Sequence, residues 1–421
     1  MDFPKRTALE QPPWWVKWEM LFWLWGAFFL NQADRALYGV VLPQLKKELA
    51  LTPRQEGLIG SVFFWTLACV VPLAGYASDV VSRRKIISGC LFFWSLATSG
   101  TALARNWLHL MFFRSIATGG GEAFYAPAAN ALIGDFHQKT RSLALSIHQT
   151  SLYFGVIASG FLGGMAADRW GWRAAFWIFG AAGLVWALLI WLRLRDPPNQ
   201  AAQTTLGQPT SWEALSILFR TPTALLLTLA FTADVFVNNG YMVWSPTFLH
   251  EKFSFSLQEA GGFSMLYHHV FAFVGVLAGG ALSDLLAVRR PRARLEIQFL
   301  GLLLGAGFIY LMGRGETQTM IYLGMAGFGL FRGVYEANIY ASLYEVIPQR
   351  LRASASGVMI MMAFLTGGAS PLLLGMIKEQ VGLAVGLAGL AVAFLIGAVA
   401  LLAAWGVCFD QDRTKAQASS A

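Results

Sequence analysis

Ionisable side chains stand inside long apolar stretches of this chain of 421 residues. Asp34 and Arg35 are adjacent in the first stretch, and Arg114 and Glu122 belong to the fourth. Because a charge at the centre of a bilayer costs about 2.5–3.5 kcal/mol, each of these residues requires a partner or a function. A guanidinium binds a carboxylate through two parallel hydrogen bonds, and a carboxyl group can exchange a proton. These residue types therefore predict anion binding together with proton exchange.

Arg35 is the residue that we expect to bind a substrate carboxylate, while Asp34 and Glu122 are the predicted proton-coupling residues. Adjacent helical positions point about 100° apart, so Asp34 and Arg35 cannot share one face. Glu122 follows three glycines, which allow neighbouring helices to approach and cover it. An internal salt bridge that holds one conformation is the alternative for Asp34 and Arg35. Arg114 is interpreted either as a structural partner or as a coupling residue.

A second set of polar residues lies in the C-terminal part of the chain. Arg332 and Glu336 are four positions apart, which favours an ion pair on one helix face, with a coupling role as the alternative. Asp234 has no evident partner in the sequence and receives no role. Several tyrosines and asparagines could hydrogen-bond a substrate, although tyrosines in such stretches are also typical of packing. The predicted substrate-binding residues are Arg35, Tyr38, Tyr125, Tyr153, Asn238, Asn239 and Tyr241.

The apolar stretches that carry these residues have the length of membrane-crossing helices, which need about 20 residues. The chain is 56% hydrophobic and only 13% charged, which is about half the charge of an ordinary soluble domain. We therefore predict an all-α integral membrane protein with twelve transmembrane helices. They are placed near residues 18–44, 56–77, 86–104, 108–134, 142–166, 173–192, 223–249, 259–285, 296–313, 319–345, 353–377 and 383–408.

Weak internal repeats predict that the chain consists of two pseudo-symmetric six-helix halves. Gln55 and Glu56 match Gln258 and Glu259 at an offset of 203 residues. Parallel halves of this kind place the substrate site near the bilayer midplane, at their interface. The predicted organisation is an N-terminal tail (1–17), a first half (18–193), a linker (194–222), a second half (223–408) and a C-terminal tail (409–421).

Lysine and arginine are distributed unequally between the two sets of loops. Of the 31 such residues, 19 fall in one set of loops and the two tails, 9 fall in the other set, and 3 lie inside spans. Cytoplasmic loops are enriched in these residues, so both termini are expected in the cytoplasm. This bias also accounts for the net charge of +8, and nucleic acid is not an expected partner.

The loop between the second and third spans carries a family signature. It reads Gly75, three residues, Asp79, and then a basic cluster that begins at Arg83, and a degraded copy runs from Gly280 to Arg290. On these residues the chain resembles the major facilitator superfamily from about residue 18 to 408. Val80 and Ser82 depart from the family's usual basic residue and glycine. The resemblance implies a rocker-switch transporter whose gating residues are Asp79, Arg83, Arg84, Asp284 and Arg289.

Two subfamilies remain open within that resemblance. The Asp34-Arg35 pair, with Arg114 and the run Gly119–Glu122, is similar to the anion:cation symporters, which take up sugar acids and other organic anions with protons. The stretch from Gly121 to Pro127 equally resembles the spinster-like lysolipid transporters, which share the Asp-Arg pair. The resemblance therefore implies either a small organic anion or an amphipathic lipid as substrate.

Other function classes lack their sequence features. We find no glycine-rich nucleotide loop with Lys-Ser/Thr, no nucleophile with a base, and no metal-ligand spacing around the histidines or around Cys69, Cys90 and Cys408. An enzyme, a cofactor and a bound metal are therefore not expected, and the short tails argue against a membrane sensor. We expect a monomeric, proton-coupled symporter of a small organic anion in a bacterial inner membrane.

Overall fold

The computed structural model describes residues 14–196, 211–290 and 292–418, and the side chain of Asp79 is not among those described. Helices form nearly all of these ranges, and within them the chain crosses the fold twelve times. Numbered span 1 to span 12, the crossings are Trp14–Leu49, Pro53–Val80, Arg83–Thr101, Trp107–Leu110 through Tyr125–Phe136, Arg141–Ala158 through Gly164–Trp170, Trp172–Arg193, Pro222–Phe253, Leu257–Ala287, Ala293–Arg314, Gln318–Glu336 with Ile339–Val346, Arg352–Gly367 with Ser370–Val381, and Leu383–Ala403 with Ala404–Cys408.

Eight of the helical segments in the described ranges are long and apolar enough to cross a membrane on length and composition alone. Spans 1, 3, 4 and 10 are not among these eight, and each of them carries charged side chains. The polar residues of those spans are covered by protein, which is where a membrane protein tolerates them. The sequence prediction of an all-α membrane fold is confirmed.

Several spans depart from a regular α-helix. Span 4 contains a π-helical segment, Met111–Ala117, and its helix breaks after Glu122 before Tyr125–Phe136 begins. Span 10 breaks in the same way after Glu336. Spans 5 and 12 carry the π segments Ser159–Gly163 and Ala404–Cys408. π-Helical turns inside helices often occur at functional sites.

Two short α-helices lie outside the spans in the described part of the chain. Ser211–Arg220 is a helix within the predicted linker, and its Glu213 lies 2.7 Å from Arg350, which immediately precedes span 11. The sequence predicts only a linker there. Phe409–Ala418 extends beyond span 12 into the predicted C-terminal tail. Residues 1–13, 197–210 and 419–421 of the predicted tails and linker lie outside the described residues.

Local geometry repeats between the halves. Spans 2 and 8 both begin with a capping box, formed by Thr52 with Gln55 and by Ser256 with Glu259. The residues that end spans 5 and 11 are also equivalent: Gly171 and Gly382 have φ values of 84° and 88°, which glycine adopts without strain. These matches support the predicted duplication of a six-helix unit.

The two halves pack tightly at the end where span 1 finishes and span 2 begins, which we call the closed end. Glycines there bring backbones together, since a Cβ added to Gly57 would lie 2.2 Å from the Pro371 carbonyl oxygen. A Cβ on Gly160 would lie 2.5 Å from the carbonyl oxygen of Gly261. Small residues are the usual means of close helix packing in membranes. This packing excludes passage between the halves at the closed end.

Charged residues reinforce the closed end. Lys378 lies 2.7 Å from Glu251 and 3.9 Å from the buried Glu56 of the other half, and Lys46 lies 3.6 Å from Glu251. Asp168 accepts hydrogen bonds from two backbone N–H groups at the start of span 8, at 3.1 and 2.9 Å. A carboxylate at a helix N-terminus is favoured by the unpaired N–H groups there.

At the opposite end, side chains at the ends of spans 2 and 8 are uncovered. Tyr76 and Leu285 are each 71% exposed, and nothing lies within 4 Å of a Cβ added to Gly75. Among the described residues, the ion pairs of Arg83 and Arg294 near this end stay within one half, and we call it the open end.

Candidate functional site

A buried ion pair joins spans 1 and 4. The Nε atom of Arg35 lies 2.7 Å from Oε2 of Glu122, and the Glu122 side chain is fully buried while that of Arg35 is 18% exposed. Glu122 reaches this position because the preceding glycines let spans 2 and 3 approach span 4: a Cβ on Gly121 would lie 3.0 Å from Cβ of Trp94. Only the arginine of this pair is therefore accessible.

Asp34 and Arg114 complete what we call the N-half cluster. Asp34 accepts a hydrogen bond from Thr98 of span 3 at 3.1 Å, on a different face of span 1 from Arg35, as the 100° angle between adjacent positions predicts. Arg114 donates to the backbone carbonyl of Arg35 at 3.0 Å, and its guanidinium carbon lies 4.4 Å from the ring centre of Phe63. A cation over an aromatic face is stabilised electrostatically. Arg114 thus supports span 1 directly.

Several polar atoms of the N-half cluster have no hydrogen-bond partner among the described residues. They are Oδ1 of Asp34, Oε1 of Glu122, and Nε and Nη1 of Arg114. An unsatisfied buried polar atom costs about 1–3 kcal/mol, so a new partner here brings a gain in free energy. The two carboxylate oxygens can accept a proton or a hydrogen bond, and the Arg114 nitrogens can donate to a water molecule or a ligand group. The cluster holds two carboxylates and two guanidiniums and is neutral when all four are ionised.

Three of the predicted substrate-binding tyrosines already use their hydroxyl groups. Tyr38 donates to the Glu56 carbonyl at 2.7 Å, Tyr125 donates to the Leu24 carbonyl at 2.6 Å, and Tyr241 donates to the Ser264 carbonyl at 2.5 Å. All three side chains are buried in the protein core. In this conformation they act as packing residues, and substrate binding by them stays a prediction.

The remaining predicted binding residues lie nearer the interface of the halves. The Tyr153 ring of span 5 lies 5.6 Å from that of Phe273 in the other half. Asn238 is half-buried, and Asn239 is buried with an amide nitrogen that has no partner among the described residues. Among the described residues, the Asn239 amide nitrogen is therefore free to bind a ligand.

The second half contains a charge cluster of its own, which we call the C-half triad. Arg332 donates from Nε to Asp234 at 3.1 Å and from Nη2 to Glu336 at 2.9 Å. The predicted pair of Arg332 with Glu336 is thus present. Asp234, for which the sequence shows no evident partner, is paired in the structure with Arg332. That partner lies 98 residues away in the chain, so no local pattern reveals it.

The two clusters are related by the duplication with their charges reversed. Glu122 and Tyr125 of span 4 align with Arg332 and Tyr335 of span 10 at an offset of 210 residues. In the first half the carboxylate is on span 4 and the arginine on span 1, whereas in the second half the arginine is on span 10 and the carboxylate, Asp234, on span 7. The same inter-helix contact is therefore made with opposite polarity.

The basic residues at the open end are paired within their own halves. Arg83 forms an ion pair with Asp135, and Arg294 lies 2.6 Å from Glu345 and 3.1 Å from Asp284. The sequence prediction missed Asp135, Arg294 and Glu345, although Asp135 and Glu345 stand at the repeat offset of 210.

Two other predicted gating residues do not bridge the halves either. Arg84 donates to the Trp191 carbonyl at 2.5 Å and lies over the Trp191 ring, and Arg289 is exposed after span 8. The Asp79 side chain lies outside the described residues. Gating by these residues stays a prediction for the conformation that closes the open end.

The histidines of span 8 are not arranged as metal ligands. No group of three or more His, Cys, Asp or Glu side chains in the described ranges has metal-binding geometry. His268 is fully buried, with its ring 4.7 Å from the Tyr241 ring and 4.5 Å from the Phe328 ring.

An apolar groove of about 630 Å³ lies between spans 2, 3 and 4 on the outer surface of the first half. Phe93, Phe112 and Ile116 line it and are largely exposed, and Lys85 stands at its border. Its floor includes Gly120 and Gly121, which precede Glu122. An acyl chain in this groove would lie close to the N-half cluster.

Comparison with known proteins identifies the family. Residues 24–371 match the model of the Major Facilitator Superfamily. The chain is 31% identical to protein spinster homolog 1 of Homo sapiens over 83% of this chain and 71% of the relative. It is 25% identical to the hexuronate transporter of Bacillus subtilis (strain 168), over 86% of this chain and 88% of that protein.

A solved structure has the same fold. It is the crystal structure of a bacterial homolog to the human lysosomal transporter spinster in an inward-facing and occupied conformation, with a TM-score of 0.82 and 23% sequence identity, covering 95% of this chain and 98% of that chain. The helical fold, the duplicated halves and these matches agree. The chain belongs to the Major Facilitator Superfamily and is a spinster-like transporter.

Proposed function

We propose that this protein is a proton-coupled secondary transporter that moves an organic anion together with a proton. The observation that carries the proposal is the pair of Arg35 and Glu122, in which the carboxylate is fully buried and only the arginine is partly accessible. A substrate carboxylate that replaces Glu122 as the partner of Arg35 would leave Glu122 buried without a counter-ion. A proton on Glu122 removes that penalty.

Proton and anion therefore favour each other's binding. Protonation of Glu122 weakens its hold on Arg35 and frees the guanidinium for the substrate, and by linkage the bound anion strengthens proton binding to the same degree. Asp34, with an oxygen that lacks a partner, is the second proposed proton acceptor. Arg114 holds the backbone of Arg35 in position.

Alternating access follows from the two ends of the molecule. If lysine and arginine mark the cytoplasmic side, the closed end faces outward and the structure is inward-open. Opening of the closed end with closure of the other would expose the N-half cluster to the opposite side, with Asp79 and its basic neighbours as the gate. Substrate and proton shift this equilibrium only through different affinities for the two conformations. We place the protein as a monomer in a bacterial inner membrane, with both termini in the cytoplasm.

A second substrate class is favoured by the apolar groove. Its floor reaches the glycines before Glu122, so an amphipathic anion such as a lysolipid could place its tail there and its charge near Arg35. The similarity to human spinster homolog 1 supports this second class, and the similarity to the hexuronate transporter of Bacillus subtilis supports a small sugar acid. The polar N-half cluster serves both, and the small anion remains our first choice.

Purified protein in liposomes with a trapped pH dye tests the function. Small organic carboxylates, with hexuronates among them, and lysolipids are added outside in separate panels. We expect a carboxylate to acidify the lumen with wild type and with the exposed control Glu316→Gln, and Glu122→Gln to abolish the response. Acidification by lysolipids alone would establish the second substrate class. Coupled transport that survives in Glu122→Gln would refute the proposed proton site.

A further inference from the structure

The C-half triad has a different charge balance from the N-half cluster. The N-half cluster matches two carboxylates with two guanidiniums, whereas the triad places Asp234 and Glu336 on either side of Arg332 alone. Within the described ranges, no other lysine or arginine lies within ion-pair distance of either carboxylate. If all three groups were ionised, the triad would hold one uncompensated negative charge among the spans.

Burial makes that excess charge costly. Asp234 is 1% exposed and Arg332 is 7% exposed, so water compensates little of the charge on the buried side of the triad. Two carboxylates that share one site disfavour each other's ionisation, which favours a proton on one of them. We propose that the C-half triad is a second proton-binding site, in which Asp234 and Glu336 share one proton around Arg332.

The geometry gives the two carboxylates different access. The Glu336 side chain is 31% exposed, whereas that of Asp234 is 1% exposed. A proton can therefore enter at Glu336. Arg332 contacts both carboxylates, so a proton on Glu336 weakens that ion pair and strengthens the pair of Arg332 with Asp234. The helix breaks directly after Glu336, as it does after Glu122 in span 4, so both exchanging carboxylates end a helical segment.

The other titratable groups around the triad do not supply the missing positive charge. They are Tyr153 of span 5, His268 and His269 of span 8, and Tyr335 and Tyr340 of span 10. Tyrosines are neutral or negative. His268 is packed against aromatic rings and its ring nitrogens have no acceptor in the described structure, so a charged imidazolium would be unsatisfied there.

Tyr153 links the triad to the other half. It belongs to the N-terminal half, yet its ring lies 6.4 Å from that of His269. The protonation state of the triad can thus act on the contact between the halves. The proposal rests on the proposed function for its role in transport, which would then carry a proton in each half, but proton binding itself is measurable without a substrate.

Infrared difference spectroscopy on the purified full-length protein provides the test. Protonated carboxyl groups have a distinct carbonyl-stretch band, and a step from acid to alkaline pH removes it. Glu336→Gln and Asp234→Asn each leave one carboxylate with one guanidinium, so both variants should fold, which size-exclusion chromatography and thermal unfolding check. Glu336→Gln and Asp234→Asn should each remove the same carbonyl-stretch band, because the two carboxylates share one proton. The lost amplitude should be about that of the separate loss in Glu122→Gln, and the control Glu316→Gln should lose nothing.

The outcomes separate this proposal from the proposed function. Survival of the full wild-type band in either folded triad variant overturns the shared proton. Loss of the band in the triad variants but not in Glu122→Gln supports the C-half site while refuting the proton site in the first half.

Discussion

The close approach of Gly160 to Gly261 predicts that one methyl group will shift the balance between the two conformations. A Cβ on Gly160 would lie 2.5 Å from the Gly261 carbonyl oxygen, where ordinary contacts are 3.4–4 Å, so the halves must separate by about 1 Å. Overpacking of this kind costs about 1–3 kcal/mol. The cost is present only in the conformation in which the halves are in contact at the closed end. Gly160→Ala should therefore raise the population of the conformation that is open at that end about 5- to 150-fold.

Accessibility of a buried residue measures this population. Ser61 is fully buried at the closed end and accepts a hydrogen bond from the backbone of Leu372 in the other half at 3.0 Å. Ser61→Cys, in a background in which the native cysteines are replaced by serine, reports opening through its rate of reaction with a membrane-impermeant thiol reagent. Gly160→Ala should accelerate that reaction by the factor given above.

Gly307→Ala is the matched control, since nothing lies within 4 Å of a Cβ at Gly307. It should leave the reaction rate of Ser61→Cys unchanged. A rate in Gly160→Ala that stays within about twofold of its parent would show that the halves yield without cost, and the packing argument would be refuted. Equal acceleration by Gly307→Ala would show a general loosening of the protein and would refute it too.

Three further predictions concern charged residues. Lys378→Met removes the cation between Glu251 and the buried Glu56, so it should also open the closed end and accelerate the Ser61→Cys reaction several-fold; an unchanged rate would contradict a role for these pairs in closure. Arg83→Gln leaves Asp135 without its partner and should lower the thermal unfolding midpoint by several degrees, whereas the exposed Lys139→Gln should not. A hydrogen bond from Arg292 lowers the pKa of Asp410 below its ordinary value. This contact therefore stabilises the fold at pH values above the pKa of Asp410 in the unfolded chain, and the stabilisation is lost as the pH falls through the pKa in the folded protein. The difference in unfolding midpoint between wild type and Arg292→Gln should thus be smaller below about pH 4 than at neutral pH.

The membrane fold could be predicted from the sequence because its signals are local. Apolar length determines which segments can cross a bilayer, and loop charge favours one orientation. The capping residues Thr52 and Ser256 and the terminal glycines Gly171 and Gly382 repeat between the halves in sequence and in conformation. A helix boundary depends on residues that are close in the sequence, so it can be predicted without knowledge of the tertiary structure.

The chemical residues were also visible in the sequence, since an ionisable group in an apolar run is conspicuous by its cost. Their partners were not. Glu122 meets Arg35 across 87 residues, and Asp234 meets Arg332 across 98, because those helix faces are brought together only when six spans pack. Sequence spacing alone led to the pair of Arg332 with Glu336, which are neighbours on one helix, and left Asp234 alone.

The sequence by itself therefore determined the kind of protein: a duplicated helical membrane transporter with costly charges in spans 1, 4, 7 and 10. Tertiary structure alone decided which charges neutralise one another, which tyrosine hydroxyls are occupied, and which end of the molecule is closed. The physical reason is that hydropathy and helix capping depend on residues that are close in the sequence. Charge compensation depends on side chains that are a few ångströms apart in space, and several helices can separate these side chains along the chain.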